Sequence, residues 1–449
     1  MVWQYTLKEL AVMAGAAPPA EDATFTGVST DTRTLEPGQV FFALRGENFD
    51  GHAFAAQAFS KGAVAVVSHA PCEAGPTLAV PDPLDALQRF AAAHRRRHSL
   101  PVFALTGSCG KTTAKEMIAA VLQSKYAVVK TQGNLNNEIG CPLSLLQIDT
   151  ATEAAVIEMG ANHAGEIARL CELAAPTESA ITMIAPAHLE GFGSEEGVAA
   201  AKAEIMEGLA GRGCFYVNAD DPRCVRIGER HPGETVWFGA SGDVVLRHCA
   251  LGPDGEMRLD IAPVGTLRLP LLVKAHAGNV LLAVAVGLRH GIEEFEAPLR
   301  AACAAGARFR REVISGVEVL DDTYNANPAS MAAALETLGS RTGNRRIAAL
   351  GEMLELGERA EELHARVGAC AAGNGVTHLF ARGPHAYAMI AAAREAGVPH
   401  AEVIDEHDAI AEAIAAVAHP GDAVLAKGSR GMRMEQVLDC LRVRLESPA

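Results

Sequence analysis

The feature that most constrains the fold is the stretch Val102–Glu116, which reads VFALTGSCGKTTAKE. Its first five residues, Val102–Thr106, are short, apolar and β-branched or aromatic at their ends, which predicts a buried strand. A glycine-containing turn follows, and the residues after it are mostly good helix formers. A strand that runs through such a turn into a helix presents the unpaired N–H groups of the helix N-terminus to an anion. The stretch therefore predicts an α/β domain with a phosphate-binding loop.

The residue types of the turn are suited to a phosphate chain. Gly107 and Gly110 let the backbone approach an anion closely. Lys111 can neutralise the outer phosphate oxygens, and the hydroxyl of Thr112 can reach a magnesium ion. The residues that we predict to surround the phosphates are Gly107, Ser108, Cys109, Gly110, Lys111, Thr112 and Thr113.

The spacing within the turn is a variant of the common phosphate loop. That loop has its first glycine five residues before Gly110, where this chain has Leu105. The alternative interpretation is an ordinary tight turn before a helix that Ser or Thr caps. The strand on one side and the helix on the other favour nucleotide binding, so we predict that the loop binds ATP or GTP.

Composition and charge exclude several classes of protein. The formal net charge of −15 argues against a nucleic-acid partner, because neutralising phosphates requires a basic face. The ten cysteines include no C-x-x-C pair, which is typical of reduced thiols in a cytosolic protein. We see neither a signal peptide nor an apolar run long enough to span a membrane. We therefore expect a cytoplasmic protein with no membrane span and no nucleic-acid partner.

The rest of the chain alternates apolar runs with helical stretches, which predicts an α/β fold. About three domains are expected for a chain of 449 residues. We place a small α/β domain at residues 1–97, a central domain with a mostly parallel sheet at 98–312, and another βα domain at 313–449. The basic run His94–His98 is interpreted as the solvated end of the helix that leads out of the first domain.

The predicted elements lie in all three domains. The strand candidates are Gly27–Arg33, Gln39–Leu44, Ala63–Val67, Val102–Thr106, Ala154–Gly160, Ser179–Ile184, Cys214–Asn218, Val317–Leu320, Arg346–Leu350, His378–Ala381 and Ala423–Ala426. The helix candidates include Leu7–Ala14, Phe54–Lys61 and Lys202–Leu209. Ligands of parallel sheets bind at the carboxyl ends of the strands, so the polar turns there are the candidate sites.

Three side chains near strand ends of the central domain are candidates for chemistry. Glu158 ends a buried strand and could hold magnesium, although an acidic residue there is also a routine loop start. His188 lies in a glycine-rich loop after the next strand, where it is either a metal ligand or a hydrogen-bonding loop residue. Lys202 begins an apolar-periodic helix, where a solvated lysine is the default.

Four stretches taken together resemble the Mur ligase family, and the resemblance spans nearly the whole chain. They are LTGSCGKTTAKE, TQGNLNNEIGCPLSLL, EMGANHAGEI with AHLEGFGS, and DDTYNANPASM. The resemblance implies a central P-loop-type ATPase domain, a Rossmann-like C-terminal domain and an ATP-dependent ligase that makes an amide in peptidoglycan biosynthesis, and so in cell-wall formation and cell division. The last stretch, which differs between relatives, implies that D-alanyl-D-alanine is joined to UDP-N-acetylmuramoyl-tripeptide. We expect the protein to be a monomer.

The resemblance also implies a mechanism and roles for particular residues. A peptide carboxylate attacks the γ-phosphate of ATP to form an acyl phosphate, which the amine of the dipeptide then attacks. Lys111 would stabilise the moving phosphoryl group, while Thr112 and Glu158 would hold a first Mg²⁺. His188 would contribute to a second Mg²⁺, and Lys202 matches a lysine that can be carbamylated. The third domain is expected to close over ATP and to exclude water.

Other residues match family positions with substrate-binding roles. Ser29, Asp31 and Arg33 match the uridine-binding region, and Asn134, Asn136 and Asn137 match a loop that holds the muramoyl-peptide, although amide-rich loops are also helix caps. Arg308, Asp322 and Asn279 match positions around ATP, Asn279 from a shifted position in a motif that departs from the family pattern. The residues expected to bind peptide or dipeptide ends are Asn325, Asn327, Lys427, Ser429 and Arg430.

Two alternatives stay open from the sequence. One is another Mur ligase that adds a different amino acid, although the chain lacks the Asp-Asn-Pro-Arg stretch usual in the relative that adds diaminopimelate or lysine. The other is a nucleotide-binding regulatory protein without ligase chemistry. The simultaneous presence of Lys111, Glu158, His188 and Lys202 argues against a pure binder.

Overall fold

Three large sheets, of four, nine and six strands, follow one another along the described part of the chain. The computed structural model describes residues 3–47, 49–251, 256–306, 309–341 and 343–446. Their architecture is α/β with sheets that are mostly parallel, as the sequence predicts. Among the helices in these residues, none combines the length and the apolar character that crossing a membrane requires.

The first unit contains a four-stranded parallel sheet. Its elements are β1 (Tyr5–Thr6), α1 (Leu7–Ala14), β2 (Thr24–Phe25), β3 (Val28–Ser29), β4 (Val40–Phe42), β5 (Arg45–Gly46), β6 (Phe49–Asp50), α2 (Ala55–Ser60), β7 (Ala65–Ser68), β8 (Thr77–Ala79) and α3 (Pro83–Arg96). The strand order is β3-β4-β7-β8. Helix α1 has the predicted bounds, because Thr6 and Glu9 form a capping box at its first turn.

The middle unit contains a nine-stranded sheet. Its elements are β9 (Val102–Thr106), α4 (Lys111–Gln123), β10 (Val128–Lys130), α5 (Gly140–Leu145), β11 (Ala154–Glu158), α6 (Glu166–Ala174), β12 (Glu178–Ile181), α7 (Leu189–Phe192), α8 (Glu195–Glu207), β13 (Cys214–Asn218), α9 (Pro222–Gly228), β14 (Glu234–Gly239), β15 (Val244–Leu251), β16 (Met257–Ala262), β17 (Gly265–Leu269), α10 (Ala277–Arg289) and α11 (Glu296–Gly306). The strand order is β10-β11-β9-β12-β13-β14-β15-β16-β17, in which β16 pairs antiparallel with both β15 and β17 and the other pairings are parallel.

Strand β9 lies in the interior of this sheet and determines where a ligand can bind. All of its residues are buried, as expected for an apolar run with parallel neighbours on both sides. The chain passes from β9 to β10 and β11 on one side of β9 and then to β12 on the other. A crevice opens at the carboxyl ends of the strands where the order reverses in this way. The loop that follows β9 therefore lies at the mouth of the crevice.

The third unit contains a six-stranded sheet. Its elements are β18 (Arg310–Ile314), β19 (Val317–Asp322), α12 (Pro328–Gly339), β20 (Arg346–Leu350), α13 (Ala360–Gly373), β21 (His378–Ala381), α14 (Ala386–Glu395), β22 (His400–Val403), α15 (His407–Val417), β23 (Ala423–Lys427) and α16 (Glu435–Glu446). The order is β18-β19-β23-β20-β21-β22, with β18 the antiparallel edge. Strand β18 straddles residue 313, the predicted start of the third domain.

Several predicted elements end at other residues than expected. The strand predicted at 27–33 is only Val28–Ser29, since the polar residues after it form turns. Strand β19 extends to Asp322 and strand β23 to Lys427, so these two residues belong to strands and not to the polar turns. The helix predicted to begin at Lys202 is wrong in its bounds, because Ser194 caps α8 and places Lys202 well inside it.

The basic run at the end of α3 is not a solvated helix end throughout. His94 and Arg95 are buried. The imidazole of His94 bonds the hydroxyl of Tyr5 at 2.8 Å and the carbonyl of Ile148 at 2.8 Å. Arg95 donates to the carbonyl of Ala174 at 2.9 Å. The predicted exposure of these two residues was wrong because carbonyl groups from distant segments satisfy their donors.

Candidate active site

The loop after β9 adopts a conformation that requires glycine at two positions. Gly107 has φ of +149°, and a Cβ atom there would lie 2.0 Å from Oγ1 of Thr182. Gly110 has φ of +82°, and its Cβ atom would lie 2.8 Å from Oδ1 of Asn279. The loop is thus a bare backbone turn at the N-terminus of α4, with Lys111 as the first residue of the helix. Exposed N–H groups at such a terminus fit a phosphate.

A cavity of about 670 Å³ opens beside this loop, between the middle and third units. The predicted residues that line it are Ser108, Cys109, Gly110, Lys111, Thr112, Thr113, Asn279, Asp322, Asn325, Asn327 and Lys427. They come from segments more than 200 residues apart and converge on one volume large enough for a nucleotide. Arg308, which was predicted to contact ATP, lies outside the described residues.

Some residues that line the cavity were not predicted. They include Thr182, Asn218, Asp220, Asp221, Lys274, His276, Phe309, Tyr324 and Ser330. The turn at 218–222 follows β13 at the same edge of the sheet, so the rule for strand ends could have identified it.

Burial lowers the pKa of His276 to about 4, which leaves a neutral imidazole in the cavity at neutral pH.

Buried Lys427 and half-buried Asp322 form an ion pair in the wall of this cavity. The Nζ atom of Lys427 donates to Oδ2 of Asp322 at 2.6 Å and to the carbonyl of Asn325 at 2.8 Å. The lysine is 1% exposed. The pair holds the turn after β19 against the end of β23, and so it shapes the third unit's side of the cavity.

Carboxylate, hydroxyl and amide groups meet at the edge of the loop where magnesium is predicted. Oγ1 of Thr112 lies 2.9 Å from Oε2 of Glu158, and Nδ2 of Asn136 donates to Oε1 of Glu158 at 2.8 Å. Buried Lys115 lies 3.9 Å from Glu158 and 3.1 Å from Glu116. Oxygen ligands of this kind suit Mg²⁺, which commonly binds one or two carboxylates together with phosphates. The residues present therefore fit a magnesium site.

Replacing Glu158 with glutamine should weaken Mg²⁺ binding roughly 10–100-fold, because the isosteric amide lacks the negative charge that the cation needs. Calorimetric titration of Mg²⁺ in the presence of ADP would measure the loss. Glu153→Gln is the matched control, since Glu153 lies just before the same strand at its far end and its carboxylate accepts from the amide of Ala127. Unchanged affinity in Glu158→Gln would contradict the assignment.

His188, in the loop after β12, and Lys202, on α8, lie near Lys111. The charge of Lys111 affects the pKa of both residues, and the charge of Lys202 affects that of His188. Burial lowers the pKa of His188, although the carboxylate of Glu355 opposes this shift. Burial also lowers the pKa of Lys202 to about 7, with a further contribution from Lys111. Both groups are therefore readily neutral, as a metal ligand or an amine nucleophile must be.

The turn after β19 contacts the phosphate loop directly. Nδ2 of Asn327 lies 3.3 Å from the carbonyl of Ser108 and 2.9 Å from Sγ of Cys109. The side chain of Asn327 also caps α12. Ser108 is engaged from the other side, where its hydroxyl donates to the carbonyl of Ala185 at 2.7 Å. The third unit is therefore docked onto the loop in this structure.

The remaining predicted residues lie away from the cavity or have structural partners. Ser29, Asp31 and Arg33 form a local hydrogen-bonded turn in the first unit. Asn137 accepts from the amide of Gly140 at 2.9 Å and so acts as a helix cap, the alternative considered for this loop, while Asn134 is exposed. Two further predicted residues have structural partners. Ser429 is buried and its hydroxyl accepts from the amide of Leu354, and Arg430 pairs with Glu435.

Comparison with known proteins gives consistent matches along the chain. The model of the Mur ligase family catalytic domain matches residues 24–95, that of the Mur ligase middle domain 105–287, and that of the Mur ligase glutamate ligase domain 308–430. The chain is 36% identical to the UDP-N-acetylmuramoyl-tripeptide–D-alanyl-D-alanine ligase of Bacillus subtilis, with 99% of each chain covered. It is 36% identical to the ligase of the same name from Escherichia coli K12, with 97% and 98% covered.

Solved structures agree with these matches. The crystal structure of MurF from Acinetobacter baumannii has a TM-score of 0.90 and 30% identity, with 98% of this chain and 99% of that chain covered. The structure of MurF from Thermotoga maritima in complex with ADP has a TM-score of 0.84 and 29% identity, with 93% and 97% covered.

Proposed function

The chain belongs to the Mur ligase family, and we propose that it joins D-alanyl-D-alanine to UDP-N-acetylmuramoyl-tripeptide, converting ATP to ADP and phosphate. The observation that carries the proposal is the position of the turn at 321–328, whose sequence is the feature that distinguishes members of the family. Within this stretch, Asp322 at the end of β19 and Asn325 and Asn327 in the turn after it line the cavity at the phosphate loop. A reaction at the γ-phosphate would therefore take place beside the turn that differs between relatives.

The residues support a two-step reaction. An oxygen of the tripeptide carboxylate attacks the γ-phosphorus of ATP, the bond to the β-phosphate oxygen breaks, and ADP leaves behind an acyl phosphate. The neutral amine of the dipeptide then attacks the acyl carbon, loses a proton, and displaces inorganic phosphate to form the amide. Two anions must meet in the first step, so the positive charge of Lys111 and the N–H groups of the loop are the main contribution of the chain.

Other residues orient and enclose the reactants. Thr112, Glu158 and Asn136 would hold Mg²⁺, which when bound neutralises phosphate charge as it builds up in the reaction. Asn327 keeps the third unit against the loop, the Asp322–Lys427 pair shapes the third unit's side of the cavity, and this docking limits the access of water to an acyl phosphate. A cytoplasmic location is part of the proposal, since the reaction consumes ATP and all ten cysteines are free thiols.

The test is substrate-dependent phosphate release together with mass spectrometry of the product. We expect release only when ATP, the UDP-linked tripeptide and D-alanyl-D-alanine are all present, with formation of the pentapeptide precursor. Tripeptides ending in diaminopimelate and in lysine should both be tried. Release with the dipeptide-stage precursor and a free amino acid would instead identify a different Mur ligase. No release with any precursor would contradict ligase activity.

A further inference from the structure

The loop at residues 354–359 of the third unit rests on the middle unit beside His188. We call it the Glu355 loop. The carbonyl of Glu355 accepts from the amide of Glu190 at 3.5 Å, and Nη1 of Arg359 lies 3.1 Å from Oε1 of Glu195. Between these two contacts, Oε2 of Glu355 bonds Nδ1 of His188. The carboxylate of Glu355, to which the proposed function assigns no role, thus contacts the imidazole of His188, which is expected to bind a cation.

Both residues of this contact have an uncommon backbone conformation. The φ angle is +52° at His188 and +64° at Glu355, and only six non-glycine residues of the described part of the chain have positive φ. An L-residue adopts this region at a cost, which the surrounding structure must offset. The residue after each is a buried leucine, Leu189 or Leu356, which anchors the loop. The fold therefore holds these two side chains towards each other against local preference.

The contact determines which nitrogen of His188 is available. A carboxylate accepts a hydrogen bond, so we assign the proton to Nδ1 of His188. The neutral imidazole then carries its lone pair on Nε2, and no hydrogen bond among the described residues involves that nitrogen. A carboxylate on one nitrogen of a histidine is the usual arrangement when the other nitrogen binds a metal, because it sets the ring orientation and raises ligand basicity.

We propose that Glu355 is a positioning residue that orients His188 and presents its Nε2 to a divalent cation beside the phosphate loop. Glu355 belongs to the third unit and His188 to the middle unit, so the docking of one unit on the other completes this cation site. The proposal rests on the function proposed above, in which a cation at His188 accompanies the nucleotide. Under this proposal the third unit contributes Glu355 to a cation site whose other residues lie in the middle unit.

The competing explanation is that the Glu355 loop serves only to dock the two units. The ion pair of Arg359 and Glu195 provides a matched control, because it lies in the same loop and the same interface but does not touch His188. Arg359→Ala should loosen docking alone. Glu355→Ala should remove both docking and the bond to His188, whereas Glu355→Gln keeps an acceptor of equal length without the charge.

The experiment is Mn²⁺ binding in the presence of ADP, followed by electron paramagnetic resonance, with His188→Ala identifying the ion that depends on His188. We expect Glu355→Ala to weaken binding of that ion roughly 10–100-fold, Glu355→Gln to fall between Glu355→Ala and wild type, and Arg359→Ala to resemble wild type. In turnover assays the Mg²⁺ concentration for half-maximal rate should be highest in Glu355→Ala, intermediate in Glu355→Gln, and close to the wild-type value in Arg359→Ala. Thermal unfolding would show whether the variants are folded, and Glu355→Gln supplies the test if Glu355→Ala is not.

Two results would overturn the proposal. Wild-type affinity for Mn²⁺ in both Glu355 variants would show that His188 needs no partner, and an equal loss in Arg359→Ala would show that docking alone matters. The binding measurement uses no dipeptide, so it is independent of the substrate assignment. If wild type adds another amino acid but the Mn²⁺ effect is present, the proposed function fails and this inference stands.

Discussion

Lys111→Ala should lower kcat by about 10³-fold or more, equivalent to about 4 kcal/mol of transition-state stabilisation. Lys111 is the first residue of α4, and its Nζ donates to the carbonyl of Gly107 at 2.6 Å, across the turn that is predicted to hold the phosphates. Without this charge, the negative oxygens of the carboxylate and the γ-phosphate would approach each other largely unscreened. Single-turnover formation of phosphate from ATP, with saturating tripeptide and dipeptide, would measure the effect.

Lys125→Ala is the matched control for this substitution. Lys125 lies just beyond the end of the same helix, and its Nζ donates to the carbonyl of His290. This variant should keep the wild-type rate, since its charge is remote from the loop. If Lys111→Ala kept more than about a tenth of the wild-type rate, the role of Lys111 would be contradicted. Loss of a principal charge-stabilising group should leave a much smaller fraction of the rate.

Lys202→Met should reduce the rate by about 10²-fold without unfolding the protein. Lys202 is 2% exposed, and burial lowers its pKa to about 7. Because a neutral amine reacts with CO₂ and a charged one does not, carbamate formation should increase as the pH rises through 7. The amine would thereby become an anion that could face a cation near His188. Activity should accordingly depend on dissolved CO₂ as well as on Lys202.

The direction of the change in Tm shows whether Lys202→Met loses activity because the amine is missing or because the protein misfolds. The pKa of the unmodified lysine is lower in the folded state than the ordinary 10.5, so unfolding between pH about 7 and 10.5 takes up a proton. The folded state is therefore progressively disfavoured as the pH falls from 10.5 to 7. Removing the amine should leave the Tm at pH 7 unchanged or higher.

Labelling with ¹³C-bicarbonate and recording a carbon NMR spectrum would test the modification. A carbamate signal is expected in wild type and in Lys125→Met, but not in Lys202→Met. If no signal is found and removing CO₂ leaves the rate unchanged, the lysine is not carbamylated. A lower Tm together with the lost rate would indicate instead that Lys202→Met damages the fold.

Local patterns were sufficient wherever a few adjacent residues determine the structure. The bounds of β9, β13, β20 and β21 match the predicted strands, because each is a compact apolar run that ends in polar or glycine residues. The start of helix α8 was placed incorrectly, since the residues between Ser194 and Lys202 are mostly glutamate, glycine and alanine with little apolar periodicity, and the cap at Ser194 is the signal that marks the start. That cap is a signal present in the sequence.

Contacts between segments distant in sequence could not be predicted from local patterns. The buried state of His94 depends on the carbonyl of Ile148, and the partner of His188 is Glu355, which lies in another unit. A histidine followed by a glycine-rich turn looks the same whether or not a carboxylate approaches it from elsewhere. The pKa of Lys202 likewise depends on the packing around α8 and not on its sequence neighbours.

The sequence by itself determined the α/β architecture, the phosphate loop and the family, because strand, turn and helix preferences and the chemistry of a glycine turn are properties of adjacent residues. Only the tertiary structure decided which polar side chains meet. Asn327 on the phosphate loop, Lys427 on Asp322 and Glu355 on His188 are all brought together by the docking of the third unit on the middle one or by the pairing of strands distant in sequence. Burial and long-range contact, which set the charge state and orientation of each group, arise only when those surfaces pack.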